Sequence, residues 1–154
     1  MKTTSILAIL AILAAATLAL AEPPPVGTAK GTCAKNAEPA VALTNAAVFV
    51  DQKDDRKPTV LILSDVKLPT EKWTSEFDLM RANKPFSGAI FFINKENEVY
   101  RSDFYWKGRQ SSVSGYFKLK LDPKNGNDIT GTVASTSDDA KEPKVDATFH
   151  AVLK

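Results

Sequence analysis

Apolar and polar positions alternate with period two along most of this chain, and that pattern predicts strands. In Val113–Leu121, Val113, Phe117, Leu119 and Leu121 fall on one side, while Ser114, Tyr116, Lys118 and Lys120 fall on the other. Ile129, Gly131 and Val133 alternate in the same way, and so do Val145, Ala147, Phe149 and Ala151. Successive side chains of a strand point to opposite faces, so each run reads as a ribbon with one covered side. Two stretches are apolar on both faces, Thr59–Leu63 and Ala89–Ile93, the latter within a strand over 87–94. These predict central strands covered above and below. Thr28–Cys33, Val41–Val50 and Val99–Trp106 supply the remaining strand signals.

Turn chemistry separates these runs. Lys35–Pro39, the charged stretch Asp51–Arg56, Lys95–Glu98, Lys107–Gln110 and the polar stretch Ser135–Pro143 read as turns or loops. Asp122–Asn127 contains Asn125-Gly126, the strongest hairpin signal in the chain.

In one place the period changes. Trp73, Phe77 and Met80 stand at i, i+4 and i+7, one stripe of a helix. Thr70 is placed to cap its start, Lys72/Glu76 and Asp78/Arg81 are spaced as helical charge pairs, and Asn83-Lys84-Pro85 stops it. The expected helix covers about 71–82. The whole pattern predicts a mainly β domain, an antiparallel sandwich or small barrel of about eight strands. The helix then plugs a barrel mouth or packs over one sheet face.

The first residues follow a different rule. Lys2 precedes an almost wholly apolar run, Ile6–Leu20, which closes on Ala19-Leu20-Ala21 before Glu22 and three prolines. This is the arrangement of a secretory signal peptide. The apolar core of about 15 residues is shorter than the roughly 20 a membrane-spanning helix needs. The expected organisation is a signal peptide at 1–21, a proline-stiffened leader at 22–27 and a single β domain at 28–154. The processed chain would be secreted or periplasmic, with no integral membrane span after cleavage.

Charge and cysteine content narrow the chemistry. Processing leaves 133 residues, with 19 Lys and Arg against 18 Asp and Glu. A near-neutral, well-mixed surface makes no case for nucleic acid. The one cysteine, Cys33, cannot form an intrachain disulfide, so apolar packing must hold the domain together. With no histidine or basic cluster beside it, Cys33 reads first as a buried small hydrophobe in an early strand and second as a free thiol able to pair with another chain.

Catalytic signatures are weak. His150, the single histidine, shares a strand face with Asp146, which could orient it as a general base; the plainer reading is a solvent-side histidine. No Gly-x-Ser-x-Gly is present. One His and one Cys cannot build a zinc site from nitrogen and sulfur ligands alone. Asp122–Gly126 resembles the start of a calcium loop, but Lys124, Gly126 and Val133 occupy ligand positions. Asp51, Asp54 and Asp55 read as a solvated loop rather than a cation site. No cofactor or metal is implied.

The most promising surface is Tyr100–Trp106, with four aromatics in seven residues. Alternation puts Arg101, Asp103 and Tyr105 on one face and Tyr100, Phe104 and Trp106 on the other, the latter suited to a core. Arg101, Asp103, Tyr105 and Arg109 are the candidate ligand-binding residues, with Tyr105 and Arg109 expected to be exposed. Arg101 and Asp103 read first as a same-face salt bridge and second as carboxylate chemistry at Asp103.

Leu63-Ser64-Asp65-Val66-Lys67-Leu68-Pro69, the Glu-Phe-containing helix after it, Ser114-Gly115, Ile129–Val133 and Val145–Phe149 carry a resemblance. Between Leu61 and Leu153 the chain resembles a group of secreted bacterial proteins with no assigned activity. The resemblance implies a small periplasmic or secreted β domain and brings no catalytic residues with it. The leading expectation is a secreted or periplasmic non-enzymatic domain that binds a protein or small ligand. The alternatives are a small-molecule carrier barrel, a hydrolase using His150 or Asp103, and a structural envelope protein.

Overall fold

A computed structural model describes residues 22–113 and 115–153. The expected signal peptide at 1–21 lies outside the described residues, as does Ser114. Among the described residues ten strands run in chain order: β1 (Thr28–Ala34), β2 (Val41–Leu43), β3 (Asn45–Val50), β4 (Thr59–Ser64), β5 (Gly88–Ile93), β6 (Val99–Trp106), β7 (Arg109–Ser112), β8 (Phe117–Leu121), β9 (Asp128–Ser135) and β10 (Lys144–Val152). They form two antiparallel five-stranded sheets, a sandwich rather than a closed barrel. One sheet is β3 to β7 in sequence order; the other runs β2-β1-β10-β9-β8. The first is a plain meander, and the second is assembled from the two ends of the domain.

The expected strand Val41–Val50 is two strands, because the chain changes sheets at Thr44. The Thr44 carbonyl accepts the Ala29 N–H at 3.2 Å, and its N–H reaches the Ser64 carbonyl at 3.1 Å. One residue is thus tied to both layers. The expected loop at 107–110 is instead a two-residue hairpin turn. Lys107 and Gly108 both take positive φ (51° and 83°), as such a turn needs. Arg109–Ser112 then returns as β7 beside β6.

Between the sheets lies the main core, which includes Phe91, Phe104 and Phe149, all essentially inaccessible, with Leu61, Val133 and Val145. Each such side chain contributes about 1.5–3 kcal/mol by leaving water. Cys33 is buried in this core as a free thiol. Burial, with a smaller contribution from the Asp65 charge, pushes that thiol up to about 12, so it stays protonated at neutral pH.

A second core covers the outer face of the β3–β7 sheet. Phe49, Val60, Ile62, Ile90, Phe92 and Tyr105 project outward and are roofed by Leu68, Leu79 and Phe86 from the β4–β5 connection. That roof explains why β4 and β5 show no polar alternation. It also contains the helix, which packs over a sheet face as one of the two expectations had it. The helix itself is shorter than expected. Thr70–Lys72 makes one 3-10 turn, and α1 occupies only Glu76–Ala82. Its cap is Ser75, in a capping box with Asp78, and not Thr70. The late start turns the expected stripe outward: Phe77 and Met80 are 55 % and 56 % exposed, and Leu79 is the buried residue. Neither expected charge pair forms. Lys72 lies outside α1, and Asp78 accepts the N–H groups of Thr74 and Ser75 instead.

Candidate functional site

β6 does bring Arg101 and Asp103 together on one face, but under the roof. Asp103 is completely buried. Its Oδ2 accepts from Arg101 Nη2 at 2.5 Å and from Gln110 Nε2 at 3.0 Å, while its Oδ1 accepts from Ser112 Oγ at 3.0 Å. Arg101 also grips Glu76 of α1 with both ends of its fork, Nη1 to Oε2 at 2.9 Å and Nη2 to Oε1 at 2.6 Å. Burial alone would weaken the guanidinium's hold on its proton; the bonds to Glu76 and Asp103 outweigh it and raise the pKa. Arg101 therefore stays a cation and buttons α1 to the sheet. With both Asp103 oxygens held by protein donors, the geometry offers a structural network rather than a free acid, base or nucleophile.

Tyr105 is the clear correction. Expected at the surface, it is 9 % exposed and stacks on Phe86 with ring centroids 4.6 Å apart. The roof residue Phe86 lies 19 positions away in sequence, so strand alternation alone gave no sign of it. Tyr100 also changes sides. A register shift opposite Phe92/Ile93 moves it onto the outer face, where it packs against the second core. Arg109 is exposed as expected, but it pairs with Trp106 across the β6–β7 hairpin. Directly opposed residues share a face, so Arg109 lies on the side of Trp106, away from Arg101, Asp103 and Tyr105. The four candidates do not form one patch.

Burial, followed by the charges of Asp103 and Glu76, pushes the Tyr105 phenol from 10 up to about 12. The folded value lies above the unfolded one, so this contribution to stability is intact below pH 10 and is lost as the pH climbs toward 12. Urea unfolding across that window should show a falling stability that is shallower in Tyr105→Phe. Equal slopes in the two proteins would contradict the assignment.

His150 is not oriented by Asp146. Asp146 instead accepts the Ser135 N–H at 3.0 Å and the Ser135 hydroxyl at 3.2 Å. His150 Nδ1 lies 3.1 Å from the Pro24 carbonyl, and Nε2 is 3.5 Å from Asp128 Oδ1 without the alignment of a hydrogen bond. The ring holds the proline leader against β10, and it is half-buried rather than solvent-side. Asp51, read as part of a solvated loop, is buried. Its Oδ1 takes the N–H of Lys53 and Asp54, and its Oδ2 takes the N–H of Glu76 at 2.9 Å. It ties the 51–56 loop to the start of α1. Asp54 pairs with Arg56. Among the described residues no three His, Cys, Asp or Glu side chains are grouped to hold a metal ion.

What the sequence reading missed is a cleft of about 760 Å³ along β3. All of Asn45–Val50 lines it, between Val26 and Gly27 of the leader with Thr28 of β1 on one side and Thr70, Glu71, Trp73 and Thr74 on the other. Trp73 meets Phe49 edge to face, 6.1 Å between centroids. A smaller cleft of about 440 Å³ opens at one end of the sandwich, with Ile93, Leu121, Ile129 and Leu153 in its lining and Asp122, Lys124 and Asp128 among its polar residues. No protein-family model matches the chain, and neither does any curated protein or solved structure.

Proposed function

We propose that this chain is an exported, non-enzymatic binding domain whose ligand seat is the cleft along β3. The carrying observation is that cleft: about 760 Å³ in volume, with a Trp73–Phe49 pair beside the polar side chains of Asn45, Gln52, Thr70 and Thr74. Volumes of 300–1,000 Å³ with aromatic surface and a few converging polar groups are usual for ligand sites. The titratable clusters elsewhere are engaged in holding the fold, which favours binding over catalysis. Support for export comes from the apolar run and small-x-small ending of residues 1–21.

The protein's partners are to be sought with two unbiased panels, displayed linear peptides and immobilised glycans. We expect saturable hits whose affinity falls at least about tenfold in Trp73→Ala and is unchanged in Lys124→Ala at the far cleft, tenfold being about 1.4 kcal/mol. Hits indifferent to Trp73→Ala would remove the β3 cleft from consideration. A small-molecule reading has one observation in its favour, the cluster of Ile93, Leu121, Ile129 and Leu153 in the lining of the end cleft. There Lys124→Ala, and not Trp73→Ala, would change affinity.

A further inference from the structure

The ligand chemistry at this seat can be taken further, on the reading that the β3 cleft is the binding site. We propose that the cleft takes an extended peptide segment of another protein, which adds to β3 as one more strand.

Sheet edges expose unpaired backbone groups, and proteins blunt them with shortness, charge or proline. The sandwich has four edges: β2, β8, β3 and β7. β2 is three residues long. β8 carries Lys118 and Lys120, and β7 reads Arg-Gln-Ser-Ser. β3 alone has none of these devices; it is Asn-Ala-Ala-Val-Phe-Val, six residues without charge or proline.

Its hydrogen-bonding groups are placed to receive a strand. The Asp51 N–H bonds the Pro58 carbonyl at 3.0 Å, so in the antiparallel pair the odd residues of β3 face β4. The even residues face outward. At one end the Ala46 N–H is taken by the Gly27 carbonyl at 3.1 Å, and at the other the Gln52 N–H is taken by the Thr74 carbonyl at 2.8 Å. Between these rungs the N–H and C=O groups of Val48 and Val50 have no partner among the described residues. The chain therefore builds both ends of an added strand and leaves the middle open. At about 3.3 Å per residue the gap from Ala46 to Gln52 spans roughly 20 Å, room for a segment of three to five residues.

The walls select the occupant. β3 forms one side of a cleft flanked by the leader and by Thr70–Thr74. A single extended segment is slender enough to enter, whereas the β3 edge of a second copy would arrive with its own walls. Among the described residues the charged members of the lining are one base and one acid, Lys67 and Glu71. The complement is a segment with no net charge. Alternate side chains would meet Phe49 and Trp73 on one face and Val26 and Val152 on the other, so the segment is apolar and free of proline at its centre.

The probe is the peptide that a displayed linear library enriches on the purified protein. We expect amide exchange at Val48 and Val50 to slow at least tenfold when it binds. N-methylating the alternate amides of the peptide that face β3 should abolish binding. Ala47→Lys and Val50→Pro should each weaken it at least tenfold, and the N-methyl peptides keep the test valid if Val50→Pro fails to fold. Tight, Trp73-dependent binding that leaves Val48 and Val50 exchange unchanged would overturn strand addition while sparing the cleft as a seat. A library that enriches nothing, or a dimer that Ala47→Lys dissociates, would also overturn it. Binding indifferent to Trp73→Ala would instead overturn the seat itself.

Discussion

Asp103→Ala is expected to destabilise the protein by about 3 kcal/mol, a large part of the 5–15 kcal/mol that holds a domain of this kind together. Breaking a buried ion pair from one side costs about 3–5 kcal/mol, because the remaining charge is stranded. Two observations put this case at the low end. Arg101 keeps its paired bonds to Glu76, and its side chain is 36 % exposed, so water reaches it. Gln110 and Ser112 lie on the exposed edge strand β7 and can turn to solvent. The substitution also loosens α1, since Arg101 then bridges the sheet to Glu76 without an anchor beneath it.

Asp103→Asn separates charge from satisfaction. Its carbonyl can accept from Arg101 and Gln110, and its NH₂ can donate to the Ser112 hydroxyl, which accepts as readily as it gives. If unmet hydrogen bonds dominate, Asn should cost about 1–2 kcal/mol, well below Ala. Urea unfolding of both variants reads the difference. Equal losses would show that the charge itself, and not donor satisfaction, is the larger contribution.

The residues around Asp103 show where sequence reasoning reaches and where it stops. That Arg101 and Asp103 share a face follows from alternation, a local rule, and it is what the structure has. That the face is covered depends on residues 65–87 folding back over the sheet, and no periodicity within β6 carries that information. The hint lay elsewhere, in the two-sided apolar runs of β4 and β5. They announced a roof without saying which of their neighbours it would also cover. For that reason alternation alone puts Tyr105 at the surface, whereas the roof buries it.

The helix boundary is a different kind of miss. Ser75 and Asp78 stand in capping-box spacing, a signal present in the chain, but the tempting stripe of Trp73, Phe77 and Met80 favoured an earlier start. Trp73 is held by Phe49 from outside α1, so three apolar residues at helical spacing were not one helical face. The β3 cleft was out of reach for a third reason. The composition Asn-Ala-Ala-Val-Phe-Val is visible in any reading, but whether a strand lies at an edge is a property of the sheet. The run Val41–Val50 gave no sign that the chain changes layers at Thr44.

Phe149→Ala should cost about 3–5 kcal/mol, the usual range for emptying a buried aromatic site. Phe149 is fully buried on β10, the central strand of its sheet, between β1 and β9. Its immediate same-face neighbours on β10 are Ala147 and Ala151, too small to fill the space left behind. Across the ladder it stands opposite Gly131 of β9. A methyl group on Gly131 would meet the ring at 3.1 Å, which suggests that the glycine makes room for it. The distances decide otherwise. The same methyl would lie 2.2 Å from the Lys120 carbonyl oxygen, a backbone atom that cannot swing aside. Gly131→Ala should therefore destabilise by about 1–3 kcal/mol through crowding between β8 and β9. Removing the ring should not rescue it: the loss from Gly131→Ala, measured by denaturant midpoint, should persist within about 0.5 kcal/mol in the Phe149→Ala background. A substantial rescue would mean that the ring, and not the approach of two backbones, is what keeps position 131 free of a side chain.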